Sequence, residues 1–122
     1  RNPWNLAMGS SGSSAGSTAA TVAGLVPFAI GTETYGSIVS PSTTCGATGL
    51  RPTFGAVSRT GGMALSYSLD KVGPICRSAE DAAFVFAVIH GADNYDRSSL
   101  QYAFNYQPKK DIKQMKIAYA KN

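Results

Sequence analysis

Charge is scarce in this 122-residue chain: 15% of its residues are Asp, Glu, Lys or Arg, and only Arg1 and Glu33 are charged among the first 50. Disordered segments combine low hydrophobicity with high net charge, so a chain that is 43% apolar belongs with the globular proteins. This charge-poor stretch of 50 residues is then either buried or held against something else. Histidine is limited to His90, and the two cysteines, Cys45 and Cys76, show no Cys-x-x-Cys spacing. A zinc site lacks a ligand set, and free thiols in a reducing, cytoplasmic setting are expected. No apolar run approaches the roughly 20 residues of a membrane helix. A basic stretch leading into an apolar one is also missing, so no signal peptide is visible, and the first residue, Arg1, is not a start methionine. The length suits one domain with its own core, is short for a complete two-domain enzyme, and reads as an excised piece.

The formal net charge of +4 would suggest nucleic acid or an anionic surface if it formed a patch. It does not spread over the chain. Lys109, Lys110, Lys113, Lys116 and Lys121 against Asp111 account for the whole excess, and the remainder is balanced. The basic tail reads as a solvated connection, and neither direct nucleic-acid contact nor a membrane is expected.

Residues 9 to 18 contain only Gly, Ser, Ala and Thr, the composition of a flexible linker. The neighbouring residues argue against a linker. Ala19 to Val26 is a small-residue and apolar run of helical length, and Pro27 to Ile30 looks like a buried strand. A Gly/Ser loop that opens a buried helix presents unpaired backbone N–H groups, suited to an anion or a developing oxyanion. The phosphate-binding patterns Gly-x-Gly-x-x-Gly and Gly-Lys-Ser/Thr are missing, which removes most of the case for a nucleotide. A second Gly/Ser/Thr turn, Gly31 to Ser37, runs into Ile38-Val39 and is expected to halt at Pro41. Residues 78 to 90 form the clearest helix, with Ser78 and Asp81 in capping-box spacing, acidic residues in the first turn, and Gly91 as a stop. The region 92 to 108 has no period, and Ile117 to Ala120 is expected to begin a further strand.

The two turns hold the nucleophile candidates. Gly12-Ser13-Ser14-Ala15-Gly16-Ser17 is followed, 24 residues from Ser13 to Ser37, by Gly31-Thr-Glu-Thr-Tyr-Gly-Ser37-Ile38, then by Pro41, Cys45-Gly46, Gly49-Leu-Arg-Pro52 and Gly55. This series resembles the amidase signature family, whose usual form is Gly-Gly-Ser-Ser-Gly-Gly-Ser, Gly-Thr/Ser-Asp-Thr-Gly-Gly-Ser-Ile-Arg and Cys-Gly-x-x-Gly-Leu-Lys-Pro-Thr. The likeness extends upstream to Arg1-Asn-Pro-Trp-Asn5 and downstream to Ser68-Leu-Asp-Lys-Val-Gly-Pro74 and Arg77-Ser-x-Glu-Asp81, covering roughly the first hundred residues.

The resemblance implies an α/β fold, a mixed sheet flanked by helices, of which this chain carries the signature core (about 1–91) and a connecting region into the next strand (92–122). It implies amide hydrolysis by a Ser-cisSer-Lys triad. The residue matching Ser37 attacks the carbonyl and is acylated, and the one matching Ser13, joined to Gly12 by a cis peptide, relays the proton. A neutral lysine is the base, because a serine hydroxyl is a poor nucleophile without one and a lysine serves only if its surroundings lower its pKa. The backbone N–H groups of Thr34, Tyr35, Gly36 and Ser37 are the implied oxyanion donors, each worth about 3 kcal/mol in the transition state. This chemistry requires no cofactor and no metal.

Departures from the pattern are informative. Tyr35 stands where the first of two glycines is usual and is expected to line the substrate pocket. Glu33 replaces Asp, and Val39 replaces an arginine, which argues against an anionic substrate. The lysine of the pattern lies several tens of residues before the first serine and so outside this chain; Lys71 is the sole lysine before residue 109 and falls after both serines. The segment alone is therefore expected to be inactive and its parent active on a small-molecule amide. The alternatives are the glutaminase subunit of a tRNA-dependent amidotransferase, with partner subunits, or a non-catalytic homologue. Tyr35 and Val39 lean towards a stand-alone amidase, and a homo-oligomer stays open.

Competing readings are weaker. Gly12-x-Ser14-x-Gly16 matches a nucleophile elbow, with Asp70 or Asp81 and His90 in triad order, but no strand precedes it. Ser68-x-x-Lys71 matches the motif of penicillin-recognising enzymes without its companions. Ser14 or Ser17 suits a helix N-cap, His90 a helix C-terminus, Cys45 and Cys76 the core, and Asp70 a structural role.

Overall fold

The computed structural model describes residues 1–108 and 111–120. In chain order it contains α1 (Ala15–Val22), β1 (Ala29–Glu33), α2 (Val39–Cys45), β2 (Thr48–Gly49), β3 (Lys71–Cys76) and α3 (Ala79–Ile89), followed by a short 3-10 helix at Ile112–Gln114. The sheet order is β1-β3-β2, and β3 pairs antiparallel with both neighbours. Ala29 faces Ile75, Glu33 faces Lys71, and Thr48 faces Cys76 in the register. The α/β class expected from the sequence is what the structure has; among the described residues every pairing within the sheet is antiparallel.

The first helix starts four residues earlier than its composition suggests, inside the Gly/Ser run, and ends at Val22. Small side chains let α1 pack closely, and its two fully buried threonines need no outside partner. Thr18 Oγ1 donates to the Ser14 carbonyl at 2.9 Å and Thr21 Oγ1 to that of Ser17 at 2.9 Å, the i−4 bond open to a helical hydroxyl. At the far end Arg77 donates to the carbonyls of Thr21 and Val26 at 3.1 and 3.0 Å, a cation on the negative end of the helix. Strand β1 runs on to Glu33, past the expected Ile30.

Pro41 does not stop the chain. It is the third residue of α2, within the first turn, where the missing N–H had no helical acceptor in any case. The helix ends on Gly46 in the left-handed conformation (φ 73°). Helix α3 begins as its capping pattern predicts: the Ser78 hydroxyl accepts from the Asp81 N–H at 3.1 Å, with Glu80 and Asp81 in the first turn. Its inner face joins Ala56, Val57 and Phe86 to Leu50, Val72, Ile89 and Phe104 in a small core. Ile38 and Ile75 are fully buried between α2 and the sheet. Cys45 and Cys76 are free and buried, as expected.

The strand expected at Ile117 to Ala120 is not formed among the described residues, and Ile117 and Tyr119 are exposed. A strand needs a ladder partner for its backbone groups, and none of the described residues pairs there. Lys113 and Lys116 are exposed, as a solvated tail requires, while Lys109, Lys110 and Lys121 lie outside the described residues.

Candidate active site

Two loops meet above β1. The first leads into α1 and contains a cis peptide between Gly12 and Ser13. The second, Thr34 to Ser37, leads into α2. They are tied by the Ser14 N–H, which donates to the Ser37 carbonyl at 3.1 Å, and by the hydroxyls of Ser11 and Ser40 at 2.6 Å. The Ser14 hydroxyl is turned inward, donating to the Thr32 carbonyl at 3.1 Å and accepting from the Thr32 N–H at 3.2 Å. Only glycine fits next to it: a Cβ on Gly31 would lie 2.9 Å from Ser14 Oγ and 2.7 Å from Ile75 Cδ1. The two loops are thereby fixed to the same strand.

Glu33 organises the second loop. It is 2% exposed, and its Oε2 accepts from the N–H groups of Ile38 at 2.8 Å and Val39 at 2.9 Å, with Arg51 Nε 3.7 Å from Oε1. Burial pushes this carboxyl up, but the N–H groups of Val39, Ile38 and Gly36, together with the Arg51 charge, outweigh it and hold the group below its usual range. The turn around this carboxylate uses Gly36 at φ 95°, a conformation that disfavours any Cβ. The Gly36 N–H also contributes to holding the Glu33 carboxyl in its charged form.

Ser13 and Ser37 line one cavity of about 560 Å³, together with Thr34, Asp70, Lys71 and the loop from Arg59 to Tyr67. Their side chains share this space without hydrogen-bonding each other. Tyr35, expected in the pocket, is not there. Its side chain is 95% exposed and borders a separate hollow of about 250 Å³ beside Arg51, Val39 and Glu33.

Asp70, expected in a structural role, holds two walls of the cavity, and Lys71, given no role in the sequence, lines it as well. Asp70 Oδ1 accepts from the Thr34 hydroxyl at 2.5 Å, and its Oδ2 accepts from the N–H groups of Leu65 and Ser66 at 2.7 and 2.9 Å. The Thr34 hydroxyl first, then these N–H groups and the Arg59 charge, hold its pKa below the ordinary carboxylate value against the opposing effect of burial. Lys71 lies after both serines in sequence, yet its ammonium reaches the Leu69 carbonyl and lies 3.5 Å from that of Thr34. The pairing of β1 with β3 puts it there, and no local pattern announces a partner 37 residues away. Arg59 braces the outer wall: it pairs with Asp96 at 3.1 Å, donates to the Tyr67 carbonyl at 2.8 Å, and stacks on Phe54 at 4.7 Å from the ring centroid. Ser58 donates to Asp93 at 2.6 Å beside it.

The competing triads are not assembled. Ser14 is buried and spent on Thr32, and His90 sits in an aromatic cluster with Phe86, Tyr102 and Phe104, its Nδ1 3.0 Å from the Ala87 carbonyl, away from the cavity. His90 is the half-buried C-cap of α3, the helix-end position expected of it. No group of metal-ligating side chains occurs among the described residues, and no helix among them is long and apolar enough to cross a membrane.

The model of the family described as Amidase matches residues 1–122. The chain belongs to the amidase family. It is 52% identical, over 84% of its length, to the A subunit of the glutamyl-tRNA(Gln) amidotransferase of Roseiflexus castenholzii, and 48% identical, over 99% of its length, to that of Bacillus velezensis. It covers 21% and 26% of those two relatives, so the chain spans about a fifth to a quarter of their length. Among solved structures, the corresponding amidotransferase chain of Thermotoga maritima superposes with a TM-score of 0.83 at 44% identity, over 84% of this chain and 23% of that one. The peptide amidase of Stenotrophomonas maltophilia gives 0.80 at 47% identity, over 81% of this chain and 20% of that one. The fold is therefore that of the amidase signature proteins, as the loop motifs led one to expect.

Proposed function

We propose that the protein carrying this chain cleaves amides through an acyl-enzyme on Ser37. The observation that carries the reading is the convergence of Ser13, from the first loop, and Thr34 and Ser37, from the second, on one cavity. Ser37 Oγ attacks the carbonyl carbon and its proton passes through Ser13 to the leaving nitrogen. In this reading the N–H groups of Thr34, Tyr35, Gly36 and Ser37 take the developing oxyanion. Water then adds to the ester, releases the acid and returns the proton to Ser37. In this reading the lysine that starts the relay lies before the first serine, where the family pattern places it; that Lys71 donates to the carbonyls of Leu69 and Thr34 supports this. No cofactor takes part, and the buried free thiols Cys45 and Cys76 suit a cytoplasmic protein.

The substrate is a small amide. The 48–52% identity to amidotransferase subunits supports a second reading, in which the amide is glutamine and partner subunits receive the ammonia. The charge-poor surface, with Trp4, Leu6 and Leu25 exposed, is held against other parts of the parent in both readings. Trapping the acyl group with hydroxylamine during turnover of the full-length protein tests the reading. Ser37→Ala abolishes hydroxamate formation and Ser13→Ala lowers it at unchanged fold, whereas hydroxamate formation by Ser37→Ala would overturn it. Glutamine outpacing other amides only when partner subunits are added selects the second reading.

A further inference from the structure

We infer that Asp70 is a positioning residue for amide cleavage: through the Thr34 hydroxyl its carboxylate ties the oxyanion loop to the opposite wall of the cavity. The inference rests on Ser37 being the nucleophile and names what holds its loop. The segment Thr34 to Ser37 is clamped by carboxylates at both ends. Glu33 holds the far end through the N–H groups of Ile38 and Val39, and Asp70 holds the near end through Thr34 Oγ1 at 2.5 Å. The other oxygen of Asp70 accepts from Leu65 and Ser66 N–H at 2.7 and 2.9 Å, so one side chain joins two walls of the cavity.

A carboxylate suits this place because it only accepts, and here three donors converge on its two oxygens. Asparagine would have to donate from one of these atoms. The wall is itself braced, since Arg59 donates to the Tyr67 carbonyl and pairs with Asp96, and the Ser66 carbonyl accepts from the Leu69 and Asp70 N–H groups at 3.2 and 3.0 Å. A displacement of the wall is thus passed to Thr34. Misplacing reacting groups by about 1 Å from a distance is sufficient to slow an enzyme by about 100-fold.

The test uses the full-length protein and a fluorophosphonate, which phosphonylates an activated serine and requires the same oxyanion donors. Thr34→Val removes only the hydroxyl and leaves every N–H in place; Thr34→Ser restores it. Thr34→Val slows the maximal rate of Ser37 phosphonylation by roughly 10- to 100-fold, with the half-saturating reagent concentration within about threefold of the wild type. Thr34→Ser returns the rate towards wild type, and Thr34→Val combined with Asp70→Asn is no slower than the slower single variant, as members of one linkage behave. Phosphonylation of folded Thr34→Val at the wild-type rate, a loss confined to the half-saturating concentration, failure of Thr34→Ser to restore the rate, or multiplying effects in the double variant would overturn the inference. If the wild type is not labelled at Ser37, the nucleophile assignment itself falls, and this inference with it.

Discussion

Removing the Glu33 carboxylate is the sharpest perturbation of the nucleophile loop that leaves both serines in place. Its Oε2 accepts two backbone N–H groups, at 2.8 and 2.9 Å, and the side chain is 2% exposed. Hydrogen bonds to a charged group contribute about 1.5–3 kcal/mol each, and a buried donor left without a partner costs about 1–3 kcal/mol. Glu33→Ala orphans both N–H groups at the start of α2 and should cost about 3–5 kcal/mol. Glu33→Gln keeps one acceptor oxygen but loses the charge facing the helix start and Arg51, so its cost is about half of that. Equilibrium unfolding of the full-length protein in urea measures both. The carboxyl is held below its usual pKa in the fold, so its stabilisation is present above the unfolded value of about 4.3 and is lost as pH falls through the lower folded value. The wild type should therefore lose its advantage over Glu33→Gln on acidification through and below that range. Glu33→Ala as stable as the wild type at neutral pH, or a Glu33→Gln difference that does not shrink in acid, would refute the reasoning.

Three further outcomes follow from the same contacts. Gly31→Ala forces a Cβ to within 2.7 Å of Ile75 and 2.9 Å of Ser14, and should destabilise by about 1–3 kcal/mol, as overpacking does, readable as a lowered urea midpoint. Cys45 and Cys76 are fully buried, and burial pushes the Cys76 thiol up. Peptide mapping after alkylation of the native protein should find both unmodified, and both modified after denaturation. Chain 1–122 alone should form no acyl-enzyme with an amide that acylates the full-length protein; acylation of the isolated segment at the full-length rate would show that the base lies within it.

What could be read in the sequence depends on how local each signal is. Helix α3 was legible because Ser78 and Asp81 are three residues apart and bond each other directly. The start of α1 was not, because glycine and serine favour loops on their own, and only burial of Thr18 and Thr21 against the sheet and α2 outweighs that preference. Pro41 misled through its reputation as a breaker, which does not apply to a first turn. For the site, the spacing of Ser13 and Ser37 carried the resemblance, and the structure brings both to one cavity. The partners of Asp70 and Lys71 were illegible, since they lie 36 and 37 residues away across the β1–β3 pairing. Tyr35 was misplaced because the side of the loop on which a side chain lies depends on backbone dihedrals that composition does not report.

The most direct measurement is to label the full-length protein with a fluorophosphonate, digest it, and locate the modified residue by mass spectrometry. The label should appear on Ser37 and vanish in Ser37→Ala. A label on Ser14, Ser17 or Ser68 instead, or full amide turnover by Ser37→Ala, would contradict the assignment of Ser37 as the residue that carries the acyl group.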